Sequence, residues 1–336
     1  MKRIGFCLIS IVIVFLFVLS CTSTESNSGG STPLNIVLPD IDVLAGYNLT
    51  EEFHIYIAFG QSNMQGPAEI RAQDRTGVSE RFRIMNVVAG GYAGGYREKH
   101  LFYRAVPPLI IPDRNLVNHL GLNIGLSPVD YFGRTLTQNT PENITIGVIA
   151  AANGDMALAA FHKTKADNYY KRVGTLDGRP SPTEIQGMNR YRSAGYASIY
   201  EAIVINAKLA QRAGGTVKGI IVHQGESGVG LRDTNWLALL KEIYDDMLSD
   251  LGLAPNSIPV LLGQTWNGGS GLTSGALAND RVIQAVVPNA WIISSVGATG
   301  RTGQGQPDNI HFGSAGIELL GRRYAEKMIE LVYRQN

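Results

Sequence analysis

Cysteine is nearly missing from this chain: there are two among 336 residues, Cys7 and Cys21. Cys7 lies in an apolar opening run. Once that run is removed as an export signal, Cys21 stands alone and no intramolecular disulfide can form. The motifs of several enzyme classes are also absent. There is no His-Glu-x-x-His, no Cys-x-x-Cys, no glycine loop ending in Gly-Lys and no Gly-x-Ser-x-Gly elbow, which argues against a zinc peptidase, a P-loop enzyme and an ordinary α/β-hydrolase lipase. His54, His100, His119 and His162 show no metal-ligand spacing, so neither a metal nor an organic cofactor is expected. An excess of one charge is lacking too. The formal net charge is +1, and losing Lys2 and Arg3 leaves 27 basic against 28 acidic residues. Without a basic patch, nucleic acid is not an expected partner.

The opening run is the first positive signal. Lys2 and Arg3 precede apolar residues from Ile4 to Leu19, with the small Ser20 at the end. This pattern predicts a signal peptide over 1–20; the run falls short of the ~20 apolar residues of an ordinary membrane span. Cys21 follows Val18-Leu19-Ser20, and the junction resembles the lipobox of bacterial lipoproteins. That resemblance implies lipidation of Cys21 and a membrane anchor facing the periplasm or cell surface. Leu19 replaces the small residue usual there, and simple secretion is the other outcome. Residues 21–33 are mostly Ser, Thr, Asn and Gly and read as a flexible tether. From residue 34 to 336 there is no second linker, repeat or low-complexity tract, which predicts one domain.

Strands and helices alternate through that domain. Near-continuous apolar runs mark strands at Phe53–Phe59, Ile144–Ala151, Val217–His223, Ile258–Gly263 and Trp291–Val296, as expected of strands buried on both faces. Helical stripes run from Tyr196 to Ala207, Trp236 to Met247 and Ile317 to Val332. The alternation predicts a three-layer α/β/α sandwich around a mostly parallel, five-stranded sheet. The stretch from Gly66 to Leu126 is rich in Gly, Arg and Tyr, with one short strand at Phe82–Val88. Within it, Gly90 to Tyr96 reads equally as a tyrosine-lined cleft wall or as an irregular surface loop.

Four stretches carry the candidate chemistry. Phe59-Gly60-Gln61-Ser62-Asn63-Met64 leaves the first strand through a glycine turn, at the strand end where open α/β sheets place their sites. Ser62 there is either a nucleophile or an inert turn serine. His223-Gln224-Gly225-Glu226-Ser227 ends another strand, and Gly125-Leu126-Ser127-Pro128 precedes a helix. Asp308 and His311 share a loop before the last helix. Their spacing lets a carboxylate hold one imidazole nitrogen while the other takes a proton from a serine hydroxyl.

The set, in this order, resembles the SGNH/GDSL hydrolase superfamily. The closer likeness is to its carbohydrate acetylesterases: sialate O-acetylesterase-like enzymes and family 6 acetylxylan esterases. The resemblance implies Ser62 as nucleophile, His311 as general base and Asp308 as its orienting carboxylate. It implies an oxyanion hole of the Ser62 backbone N–H, the Gln224 side-chain amide and a backbone N–H of Gly125 or Ser127. The usual Gly-Pro of that block is Ser127-Pro128 here, and a usual Gly-Gly pair is Asn153-Gly154. Asn63, Trp266 and Asn153 are candidate substrate contacts. Glu226 and His223 are expected to be structural, because a carboxylate aimed at an oxyanion opposes the transition state.

The expected activity is therefore removal of O-acetyl groups from an acetylated glycan, with no cofactor and with membrane contact only through Cys21. A tethered glycan-binding protein without turnover, and an esterase acting on non-sugar esters, are the alternatives. Oligomeric state is not legible.

Overall fold

The computed structural model describes residues 32–92, 95–110, 124–167, 182–226, 236–266, 279–301 and 310–334. The expected signal peptide, most of the tether and Asp308 lie outside the described residues. At the near end of the chain, Lys163 Nζ donates to the Thr32 carbonyl (2.7 Å) and the Leu34 N–H donates to Asp250 (2.7 Å). The docked chain thus includes the last two residues assigned to the tether.

The strands are β1 (Glu52–Gly60), β2 (Ala68–Glu69), β3 (Phe82–Met85), β4 (Gly90–Tyr92), β5 (Gly95–Arg97), β6 (Phe102–Arg104), β7 (Ile124–Leu126), β8 (Ile144–Ala152), β9 (Thr216–His223), β10 (Val260–Gly263) and β11 (Ala290–Ile293). The helices are α1 (Ser62–Gln65), α2 (Pro128–Gln138), α3 (Pro182–Ser193), α4 (Ile199–Arg212), α5 (Trp236–Asp250), α6 (Asp280–Gln284) and α7 (Ser314–Tyr333). The main sheet has seven strands in the order β11-β10-β9-β1-β8-β3-β6. All neighbours are parallel except β3 and β6.

The expected count of five strands is corrected to seven. The additions are β3, expected as a strand but not as part of this sheet, and the three-residue β6, which is too short to carry a periodic signal. β6 closes the edge antiparallel, as many open α/β sheets do. The segment around Gly90 to Tyr96 is likewise an antiparallel β4–β5 ribbon, with Tyr96 strongly exposed.

β1 lies at the middle of the sheet and is apolar on both faces. Phe53, Ile55, Ile57 and Phe59 join one core cluster with residues of α4 and α5. Tyr56 and Ala58 join the other with residues of α2 and α7. This alternation follows from the two-residue period of a strand, and it produces the three layers. α2 and α7 cross closely: a Cβ on Gly321 would lie 2.5 Å from the Pro128 carbonyl oxygen. Register places the site. Gly60 pairs with Ala152 on one side and His223 on the other, so three central strands end level at their carboxyl ends.

Candidate active site

The turn after β1 depends on Gly60. Its φ is +154°, and a Cβ there would lie 2.0 Å from the His223 carbonyl oxygen. Only glycine allows β1 and β9 to end this close together. The chain then turns into α1, where Gln65 N–H donates to the Gln61 carbonyl (2.8 Å) and Gly66 N–H to that of Ser62 (3.0 Å). Ser62 is the first residue of this turn, so its own N–H is one of the donors that a helix start leaves without an intrahelical acceptor.

Ser62 Oγ lies 2.8 Å from His311 Nε2, across 249 residues of sequence. That is hydrogen-bond distance between a hydroxyl and an imidazole. His311 sits just before α7. Its carbonyl accepts from Arg301 N–H (2.9 Å), and Phe312 forms a bridge with Gly300. Asp308 is not among the described residues.

Asn63 is fully buried. Its Nδ2 donates to Glu226 Oε1 (2.6 Å) and to the Ile310 carbonyl (3.0 Å), and its Oδ1 accepts from Phe312 N–H (3.2 Å). Both donors and one lone pair of the acceptor meet protein groups. Asn153 is buried too, and its Nδ2 donates to the Gly154 (3.0 Å) and Thr183 (3.1 Å) carbonyls. Trp266 is half-buried, and its ring packs on Gly300, where a Cβ would lie 3.0 Å from it.

Glu226 faces His223, with Oε1 2.9 Å from His223 Nε2, both side chains being buried. Burial works to raise the Glu226 carboxyl, but the imidazole of His223 and the Asn63 amide outweigh it and hold the group below its usual range. On the far side of the ring, His223 Nδ1 lies 3.2 Å from the Tyr324 hydroxyl, which donates to the Val222 carbonyl (2.8 Å).

Gln224 is buried at the end of β9. Its Nε2 donates to the Met156 carbonyl (2.8 Å), with Gln61 Oε1 at 3.4 Å, and its Oε1 accepts from Trp236 Nε1 (3.0 Å). The amide is thereby oriented, and its donors point to protein acceptors. Ser127 N–H donates to Asp130 Oδ2 (3.0 Å), while its hydroxyl accepts from Val129 N–H (3.2 Å) and donates to the Met64 carbonyl (2.7 Å). This is a helix cap with proline at the first position. The cap thus engages the Ser127 N–H at rest. Gly125, the other candidate, lies in β7 with φ +133° and packs against Pro108 and Ile70.

The residue that sequence reasoning passed over is Gly154. A Cβ built on it would lie 3.9 Å from Ser62 Cβ, and its N–H donates to Gln65 Oε1 (2.8 Å). The signal was the Asn153-Gly154 pair at the end of a long buried strand, read only for cleft shape. Among the described residues, no group of His, Cys, Asp or Glu could hold a metal ion.

Residues 52–330 match a family of carbohydrate esterases described as sialic acid-specific acetylesterases. In structure, the chain is similar to a protein from Arabidopsis thaliana, at 18% identity over 83% of this chain and 98% of that one, with a TM-score of 0.54. It is similar also to NanS, at 14% identity over 86% of this chain and all of that one, with a TM-score of 0.56. At such identities the two likenesses establish the α/β/α fold. The family match defines the class: a carboxylic ester hydrolase, an acetylesterase of the carbohydrate esterases. The chain belongs to the sialic acid-specific acetylesterase family of carbohydrate esterases.

Proposed function

We propose that this protein is a serine esterase that removes O-acetyl groups from sialic acid or an acetylated xylan-type polysaccharide through an acetyl-enzyme on Ser62. The observation that carries the reading is the 2.8 Å contact between Ser62 Oγ and His311 Nε2. His311 takes the hydroxyl proton as Oγ attacks the acetyl carbonyl, and a tetrahedral intermediate forms. The same imidazole protonates the departing sugar oxygen, then activates the water that releases acetate. Asp308 is assigned the orienting carboxylate on its spacing from His311 and on the resemblance to SGNH acetylesterases.

The Ser62 N–H supplies one donor to the oxyanion. Gly154 supplies the second on this reading: its N–H meets only the neutral Gln65 oxygen at rest, an acceptor that a developing oxyanion outcompetes. Gln224 contributes by turning the donor that faces Gln61 across the longer contact. Each such donor is worth ~3–4 kcal/mol when removed.

The lysine-arginine start, the apolar run and Cys21 support export and lipid anchoring. Incorporation of a fatty-acid probe, abolished by Cys21→Ala, is the expected result. Among the described residues no helix is long and apolar enough to cross a membrane.

The deciding experiment is acetate release from acetylated sialic acid, acetylated xylan and a small aryl acetate. We expect turnover of at least one glycan, and loss of at least ~10³-fold in Ser62→Ala and in His311→Ala. Turnover of the aryl acetate alone refutes the carbohydrate assignment.

A further inference from the structure

We propose that Asn63, held by Glu226, is the positioning residue that sets His311 against Ser62, which explains why an acidic side chain is buried beside an esterase site. Asn63 follows the nucleophile directly, and its side chain grips the backbone on both sides of the base: the Ile310 carbonyl and the Phe312 N–H. These two bonds tie the Ser62 turn to both neighbours of His311.

The orientation of the Asn63 amide is determined by its partners. A carbonyl and a carboxylate accept from it and a backbone N–H donates to it, so oxygen and nitrogen cannot be exchanged. Glu226 enforces this from the third side through a charge-assisted bond of 2.6 Å. Glu226 is itself set by His223, and His223 by the Tyr324 hydroxyl on α7. The chain of contacts therefore runs from the end of β9 and from α7 into the turn that carries the nucleophile. The bridge between Gly300 and Phe312, and the bond from Arg301 to His311, fold the His311 segment onto its own neighbour. They do not connect it to Ser62.

The consequence is kinetic. The imidazole must meet Oγ at hydrogen-bond distance in line for proton transfer, and a displacement of ~1 Å costs on the order of 10²-fold. Since neither Asn63 nor Glu226 touches substrate on this account, the loss falls on kcat and leaves KM alone.

The inference rests on Ser62 and His311 being the catalytic pair, and Ser62→Ala separates the two. Full turnover in that variant overturns the pair itself; an inactive Ser62→Ala with an unimpaired Asn63→Ala overturns only the positioning role. With the full chain and an acetyl ester, Asn63→Ala is expected to lower kcat ~30- to 100-fold, with KM within ~3-fold. Glu226→Leu should show a comparable loss. Glu226→Gln, which retains an oxygen to accept from Asn63, should recover to within ~5-fold of wild type, a rescue that volume alone does not predict.

The double variant Asn63→Ala with Glu226→Leu should be no worse than the poorer single, because Glu226 acts through Asn63. Multiplied losses in the double, a loss carried by KM, or Glu226→Gln no better than Glu226→Leu overturns the proposal. Far-UV circular dichroism and thermal midpoints accompany each variant. If Asn63→Ala does not fold, the comparison of Glu226→Gln with Glu226→Leu decides.

Discussion

Replacing Asp130 with asparagine should remove a pH dependence that the fold builds in. Asp130 is fully buried in the first turn of α2, with Oδ2 accepting from Ser127 N–H (3.0 Å) and Oδ1 without a partner. Burial raises its carboxyl from 3.8 to about 8; the Ser127 N–H and the Arg134 guanidinium oppose the rise without cancelling it. The folded protein thus keeps Asp130 protonated across a range in which the unfolded chain ionises it. The contribution to stability is complete below about 3.8, declines as pH rises, and is gone near 8. At ~1.4 kcal/mol per pH unit, the full window from 3.8 to about 8 is worth roughly 6 kcal/mol. Wild type alone does not reveal it, because Asp74, Glu226, Glu242 and Glu318 are shifted downward and lose stability as pH falls. The assay is urea unfolding of wild type and Asp130→Asn at intervals from pH 4 to 9. The variant should gain on wild type steadily as pH rises. A constant difference, or a gain toward acid, refutes the reasoning.

Gly60→Ala should abolish activity and lower the thermal midpoint sharply, since its Cβ would meet the His223 carbonyl; an active, stable variant contradicts the close approach of β1 and β9. Gly133→Ala lies in α2, where alanine ordinarily gains ~1 kcal/mol, but here the Cβ would lie 1.9 Å from the Phe82 ring. The expected change is a loss of ~1–3 kcal/mol in chemical denaturation. Asp250→Ala should cost ~3–5 kcal/mol, because it strands the buried Lys163 ammonium (3.0 Å) and removes the acceptor of the Tyr200 hydroxyl (2.6 Å) and Leu34 N–H.

Much of the fold was legible because buried parallel strands are apolar on both faces. β1, β8 and β9 announced themselves as runs, and the α5 and α7 stripes matched helices that pack on the sheet. The short pieces were not legible. β6 has three residues, and β4–β5 is built from Gly and Tyr in a pattern shared by ordinary loops.

At the site, the sequence pointed to Ser62 and His311 through the strand-end position of one and the loop chemistry of the other. It left open whether Asn63 and Asn153 face substrate, because nothing in a sequence shows which protein groups an amide already meets. At Ser127, a Ser-Pro pair before a helix suits a cap as well as an anion site. Gly154 escaped because a glycine beside a serine in space leaves no mark on their spacing, which here is 92 residues.

The most direct test of the account is to trap the acyl intermediate. An aryl acetate is mixed with the enzyme, the reaction is quenched in acid within the first turnover, and the acetylated peptide is mapped by mass spectrometry. The acetyl group should sit on Ser62 and be absent in Ser62→Ala. An adduct on another residue, or undiminished turnover in Ser62→Ala, contradicts the central claim.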